Sequence, residues 1–106
     1  MRIIFDENVP WPLSALLPDH DVTSVQREGL SGTENGELLA ALDGRFEVFI
    51  LCDKNLRYQQ NLKGRQITIV ELPTNRWPVI KNLGEAIVRG LSAYAPGAYI
   101  TIEEDG

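Results

Sequence analysis

The stretch Val48-Phe49-Ile50-Leu51-Cys52-Asp53 decides the reading of this chain. The run Val48 to Cys52 has no polar interruption and is too short for an ordinary globular helix, so it predicts a central strand covered on both faces. Such a strand belongs to a parallel sheet whose connections are helices. Asp53 would then stand at its C-terminal end, where ligands gather in open α/β sheets.

Working outward, Arg2-Ile3-Ile4-Phe5 is a second short apolar run that stops at Asp6-Glu7-Asn8 and the breakers Pro10 and Pro12, which reads as a buried strand ending in a turn. Trp11, Leu13, Leu16 and Leu17 recur at helical spacing up to Pro18, and Asp21 to Val25 alternates as a strand. Past the loop glycines Gly29 and Gly32, Thr33 is placed as an N-cap. Glu34 and Glu37 suit a first helical turn, Leu38, Leu39 and Leu42 form the apolar stripe, and Gly44 closes the helix. Asn55 to about Asn61 reads as a short helix and Gln66 to Leu72 as a strand. Ile80, Leu83, Ile87, Leu91 and Tyr94 make the longest amphipathic helix, ended by Pro96-Gly97, and Tyr99 to Ile102 suggests an edge strand. The expectation is one three-layer α/β/α domain over residues 1–106 with a mostly parallel sheet of about five strands.

A chain of 106 residues leaves room for one domain. With 43% hydrophobic and 24% charged residues, neither a disordered nor a low-complexity chain is plausible. Cys52 is alone and cannot bridge internally, and no apolar run approaches the ~18 residues of a membrane span. A cytoplasmic protein with no membrane contact is expected. The net charge of -5 speaks against a surface built throughout to coat nucleic acid and leaves local patches as the alternative.

The fold would bring Asp6, Glu7 and Asp53 from distant sequence to one sheet edge, with Glu37 one turn into a helix that starts there. Crowded carboxylates are readily tolerated when a divalent cation neutralises them, and oxygen ligands suit Mg²⁺ or Mn²⁺ rather than zinc. One Cys and one His, with neither a CxxC nor an HExxH pattern, leave zinc without ligands. Each acid also has a structural reading: Asp6 and Asn8 as turn and cap formers, Glu37 as a solvated helix residue, Asp53 as a cap. Cys52 reads as core and His20 as a turn residue.

Three segments taken together, Ile3-Ile4-Phe5-Asp6-Glu7-Asn8-Val9-Pro10, Gly32-Thr33-Glu34-Asn35-Gly36-Glu37-Leu38-Leu39 and Leu51-Cys52-Asp53-Lys54-Asn55-Leu56, resemble a family of small stand-alone PIN-like proteins. The resemblance runs in order and spacing over roughly Met1 to Leu72. It implies a PIN-like sheet and a Mg²⁺- or Mn²⁺-dependent endoribonuclease, often the toxin half of a bacterial toxin-antitoxin pair. It implies Asp6 and Asp53 as metal ligands, with Glu7 and Asn55 as further donors, and Glu37 as the acid that orients water. It also implies an RNA substrate and a cognate antitoxin protein, and leaves room for a homodimer. The chain departs from the family pattern at Asn35 and Asn55, where relatives often carry Asp. An amide carbonyl can ligate a metal but brings no charge, so a catalytically silent scaffold that only binds a partner is the main alternative. A receiver-type phosphoacceptor domain, with Asp53 accepting the phosphoryl group, is the other.

Residues 54–65 contain the four cations Lys54, Arg57, Lys63 and Arg65 and no acid, with Tyr58 and several amides between them. Amides read base edges and Tyr stacks, so this segment is the expected RNA contact, against the plain reading of a solvated surface. Four phosphate contacts on single-stranded RNA give a log-log salt slope of about -3, at roughly -0.7 per contact. Changing Arg57 and Lys63 together to Gln is expected to bring the slope to about -1.4, and an unchanged slope would leave this segment as plain surface.

Overall fold

The computed structural model describes residues 1–52 and 64–104, with the backbone alone for Asn35. Five strands, β1 (Arg2–Phe5), β2 (Asp21–Ser24), β3 (Val48–Leu51), β4 (Thr68–Glu71) and β5 (Tyr99–Thr101), form one sheet in the order β2-β1-β3-β4-β5. Every neighbouring pair is parallel. The expected α/β sandwich is present, and its sheet is wholly parallel.

The apolar runs explain the centre. Ile3, Ile4 and Phe5 of β1 and all four residues of β3 are fully buried, which requires cover on both faces. On one face the helix α1 (Asn35–Leu42) lays Leu38, Leu39 and Leu42 against Ile4, Phe49, Leu51, Ile67 and Ile69. On the other, Leu13 and Leu17 of the 3-10 helix Trp11–Leu16 and its exit pack with Ile80, Leu83, Ile87 and Leu91. Those four come from α2 (Trp77–Ile80), a 3-10 turn (Lys81–Leu83) and α3 (Gly84–Ser92). The amphipathic stretch expected as a single helix is thus broken by a 3-10 turn, while its apolar stripe still faces the sheet. α1 begins one residue later than expected: its N-cap is Glu34, not Thr33, and no side chain caps it.

The connections β1–β2 and β4–β5 run over the same face but step in opposite directions across the sheet, so they have opposite hands. The β2–β3 connection, over the other face and stepping the other way, shares the hand of β1–β2. The β4–β5 crossover is therefore the odd one among the three, in a fold class where nearly all such connections are right-handed.

The edge formed by the strand N-termini is closed by polar contacts. The Asp43 carboxylate accepts from the backbone N–H groups of Gln66 (2.9 Å) and Ile67 (3.0 Å), which fixes the entry to β4. Arg2 pairs with Glu47 at 3.4 Å, and the Met1 amine meets His20 Nδ1 at 3.2 Å. At the entry to β5, Gly97 has φ +76° and a Cβ there would lie 2.9 Å from the Arg65 carbonyl oxygen. Gly97→Ala is expected to cost about 2 kcal/mol or more in denaturant unfolding, from the left-handed conformation plus the clash. Gly29→Ala, at φ +74° in open space, should cost only the conformational part, about 1–2 kcal/mol; equal losses would mean that the Arg65 carbonyl gives way.

Candidate functional site

In the order β2-β1-β3-β4-β5, the direction of the winding reverses between β1 and β3. In open α/β sheets the strands part at that point on their C-terminal side and leave a crevice. The residues that leave β1 and β3 at this place are Asp6 and Cys52. Asp6 is half-buried; its N–H extends the ladder to the Ile50 carbonyl (2.9 Å) and its own carbonyl accepts from Val9 (3.1 Å). The backbone of the acidic turn is thereby set by the sheet, at the C-terminal end of β1.

Cys52 reports the electrostatic effect of Asp6. Burial, and after it the Asp6 carboxylate, push the thiol up to about 12 from an ordinary 9.0. Its Sγ also lies 4.0 Å from the Asn8 carbonyl oxygen. The thiol therefore stays protonated near neutrality and is a poor nucleophile. His20 is at the opposite edge. The carboxylates at this edge are oxygen donors, which fit Mg²⁺ or Mn²⁺ better than zinc.

The other expected site residues are distributed as follows. Glu7 Oε1 accepts from the Gly32 N–H (3.2 Å), tying the acidic turn to the loop that leads into α1. Glu37 lies in the first turn of α1 and is exposed, and among the described residues it makes no hydrogen bond or ion pair. Since α1 starts after the C-terminal end of β2, Glu37 shares the edge of Asp6. Asp53, Asn55, Lys54, Arg57, Tyr58 and Lys63 lie outside the described residues. Among the described residues no three His, Cys, Asp or Glu side chains could hold a metal ion together, so a complete ligand set at this edge requires Asp53 or Asn55. Arg65 precedes β4 and stands at the N-terminal edge, a strand length of roughly 13 Å from the edge of Asp6. A phosphate held by Arg65 is not one poised beside Asp6.

A shallow groove of about 720 Å³ is lined by Leu16, Lys81, Asn82, Gly84, Glu85, Val88 and Arg89. It lies between helices rather than at strand ends and offers one carboxylate, so the acid chemistry belongs to the crevice instead. Sequence reading missed a pair at the crevice edge. Trp11, which the sequence presents only as part of an apolar stripe, is 37% exposed, and the Arg27 guanidinium sits 3.9 Å from its ring centroid. The one signal for it is a Trp between Pro10 and Pro12 directly after the acidic turn.

Comparison with protein-family models, with curated proteins and with solved structures gives no match. No helix among the described residues is long and apolar enough to cross a membrane.

The Cys52 thiol gives a direct check on the crevice. At pH 8, a thiol titrating at about 12 has roughly a thousandth of the thiolate of one titrating at 9.0, and alkylation of the native protein should be slowed accordingly relative to the unfolded chain. As pH rises from 9.0 towards about 12 the unfolded chain loses this proton first, so the native state loses stability over that window. Asp6→Asn removes the second cause and should speed alkylation, though not to the rate of a free thiol. An unchanged rate would mean that the carboxylate does not act on Sγ.

Proposed function

We propose that the chain is a PIN-like, metal-dependent endoribonuclease that hydrolyses RNA phosphodiesters in the cytoplasm as the toxin of a bacterial toxin-antitoxin pair. The observation that supports this best is the reversal of strand order between β1 and β3, since Asp6 and Asp53 of the PIN-like motifs follow those two strands in the chain. Capping accounts for each acid separately but not for why they leave the two strands that open a crevice. In this reading Asp6 and Asp53 would hold Mg²⁺ or Mn²⁺, with Glu7 and Asn55 as further oxygen donors. A bound divalent cation supplies charge for the phosphoryl oxygens and lowers the pKa of water. The chain itself contributes Glu37, whose accessible carboxylate orients the attacking water and accepts its proton. The partner that silences the toxin is an antitoxin protein covering this acidic edge.

The strand order favours one second reading. The order 2-1-3-4-5 is that of receiver-type domains, in which Asp53 would accept a phosphoryl group. Against it, β5 and its exit read Tyr99-Ile100-Thr101-Ile102, with no Lys where such a domain needs a phosphate partner. Labelling by acetyl phosphate would single out that reading.

The decisive experiment is cleavage of a set of tRNAs and mRNAs in Mn²⁺ by the protein and by its Asp6→Asn and Asp53→Asn variants. We expect each variant to lose cleavage by at least about a hundredfold, the scale of transition-state charge stabilisation lost with a metal. Without metal, each should melt at the same or a higher temperature, because a like charge has been removed from an acidic edge. Strong destabilisation of both variants without metal would make these acids structural.

A further inference from the structure

We propose that Trp11 and Arg27 form a nucleotide platform for single-stranded RNA at the edge that carries Asp6, where a base stacks on the indole and Arg27 moves from the ring to an adjoining phosphate. The choice of RNA as occupant and its direction towards Asp6 rest on the ribonuclease reading; the stacking surface and its cation are features of the structure itself.

The indole is both fixed and open. Trp11 begins its 3-10 helix between Pro10 and Pro12, which restrict the backbone on either side. Its ring meets that of Phe5 edge to face, with centroids 5.8 Å apart and planes at 65°. Phe5 is fully buried and immediately precedes Asp6. The indole is thus anchored from beneath by the residue next to the candidate catalytic acid. A large aromatic that is held by the core and still 37% exposed offers stacking surface at little ordering cost.

Arg27 is presented from the next strand. Ser24, buried at the end of β2, accepts the Arg27 N–H on Oγ (3.2 Å) and the Glu28 N–H on its carbonyl (3.0 Å). These bonds hold the turn that carries the guanidinium across to Trp11. Among the described residues Arg27 forms no ion pair: its neighbour Glu28 is engaged by Arg45 (3.2 Å) and by the Thr23 hydroxyl (2.9 Å). Its one observed side-chain partner is therefore an exposed π face. A base stacked on an aromatic ring is worth more than an exposed cation-π contact, so a nucleotide can take the ring and release the guanidinium. The guanidinium then gains a charge-assisted bond to phosphate, which it prefers for its fork geometry.

Placement favours RNA over a protein as the occupant. A polyanion near a chain of net charge -5 needs local cations, and Arg65 stands at the wrong edge. Arg27 supplies a cation at the right edge, next to a stacking ring, which is the pairing that single-stranded nucleic acid uses.

The test uses the full chain with Trp77→Phe, so that Trp11 is the only indole; Trp77 packs against the core and Phe preserves an aromatic there. Short oligoadenylate and oligouridylate are titrated without divalent cation, so no cleavage intervenes. We expect saturable quenching of Trp11 emission. In the unaltered background, with binding followed by competition against a labelled oligonucleotide, Trp11→Ala should weaken affinity about tenfold or more, and Trp11→Phe less. Arg27→Gln should reduce the log-log salt slope by about 0.7. Trp11→Phe and Arg27→Gln keep the Phe5 contact or leave it untouched, so a folding defect in Trp11→Ala does not decide the outcome. Absence of quenching, or RNA affinity and salt slope unchanged in Trp11→Phe and Arg27→Gln, overturns the platform even if Mn²⁺-dependent cleavage is found. Protection of Trp11 by a co-expressed protein without any quenching by RNA overturns it in favour of a protein interface. Quenching without cleavage in any metal leaves the platform standing and removes the ribonuclease reading.

Discussion

The pairing of β1 with β3 is the constraint on which the rest depends. Ile3, Ile4 and Phe5 lie beside Val48, Phe49 and Ile50 in register, and all six are fully buried. A slip of one residue would exchange the faces of every side chain in the pair. The ladder continues one step past β1, through the Asp6 N–H to the Ile50 carbonyl. The same bonds that hold the core together therefore place the first residue of the acidic turn. Removing buried volume here costs about 2–5 kcal/mol per large side chain, a large part of the stability of a small domain, so the position of Asp6 is as secure as the core.

A parallel sheet has two unlike edges, and this chain uses them differently. At the N-terminal edge Asp43 takes two backbone N–H groups and Glu47 takes Arg2. Burial is the largest single influence on Glu47 and opposes its ionisation, yet the Arg2 backbone N–H and the Arg2 side chain help hold it below the usual carboxylate range. At the C-terminal edge Glu37 has no such partner among the described residues, and the Asp6 carboxylate acts unfavourably on the ionisation of a neighbouring thiol. Glu7 does commit an oxygen to Gly32, which positions the loop leading to Glu37 rather than neutralising the edge. Asp43 and Glu47 are thus separated from Asp6 and Glu37 by the length of the strands.

The strands were legible in the sequence because each is a short β-branched run ended by an acid, a proline or a glycine. Burial on both faces followed from the absence of polar residues in Val48 to Leu51. What could not be read was long-range. Asp43 looks like any acid at a helix end, and its role exists only because the entry to β4 arrives beside it, 23 residues later in the chain. The charge pattern of residues 54–65 suggested a single patch beside the acids, yet Arg65 lies just before β4, whose N-terminus is at the opposite edge from Asp6. The Arg27–Trp11 contact was hidden for the same reason: it joins the exits of β2 and β1, which only the strand order makes neighbours.

Hand is the least local property of all, since no side chain encodes it. The 3-10 helix and α3 share one face because both have apolar stripes and β1, β3 and β4 offer alternate residues to that face. Once Leu13 and Leu17 lie against Ile80 and Leu83, the β4–β5 connection is committed to the face already used by β1–β2. The direction of its step then fixes its hand. The shared core and the direction of the step together give the β4–β5 connection a hand opposite to that of β1–β2. The shared core also leaves the crevice between β1 and β3 bounded on that side by the 3-10 helix, whose first residue is Trp11. The aromatic at the mouth of the crevice is, in this sense, a consequence of how the core is covered.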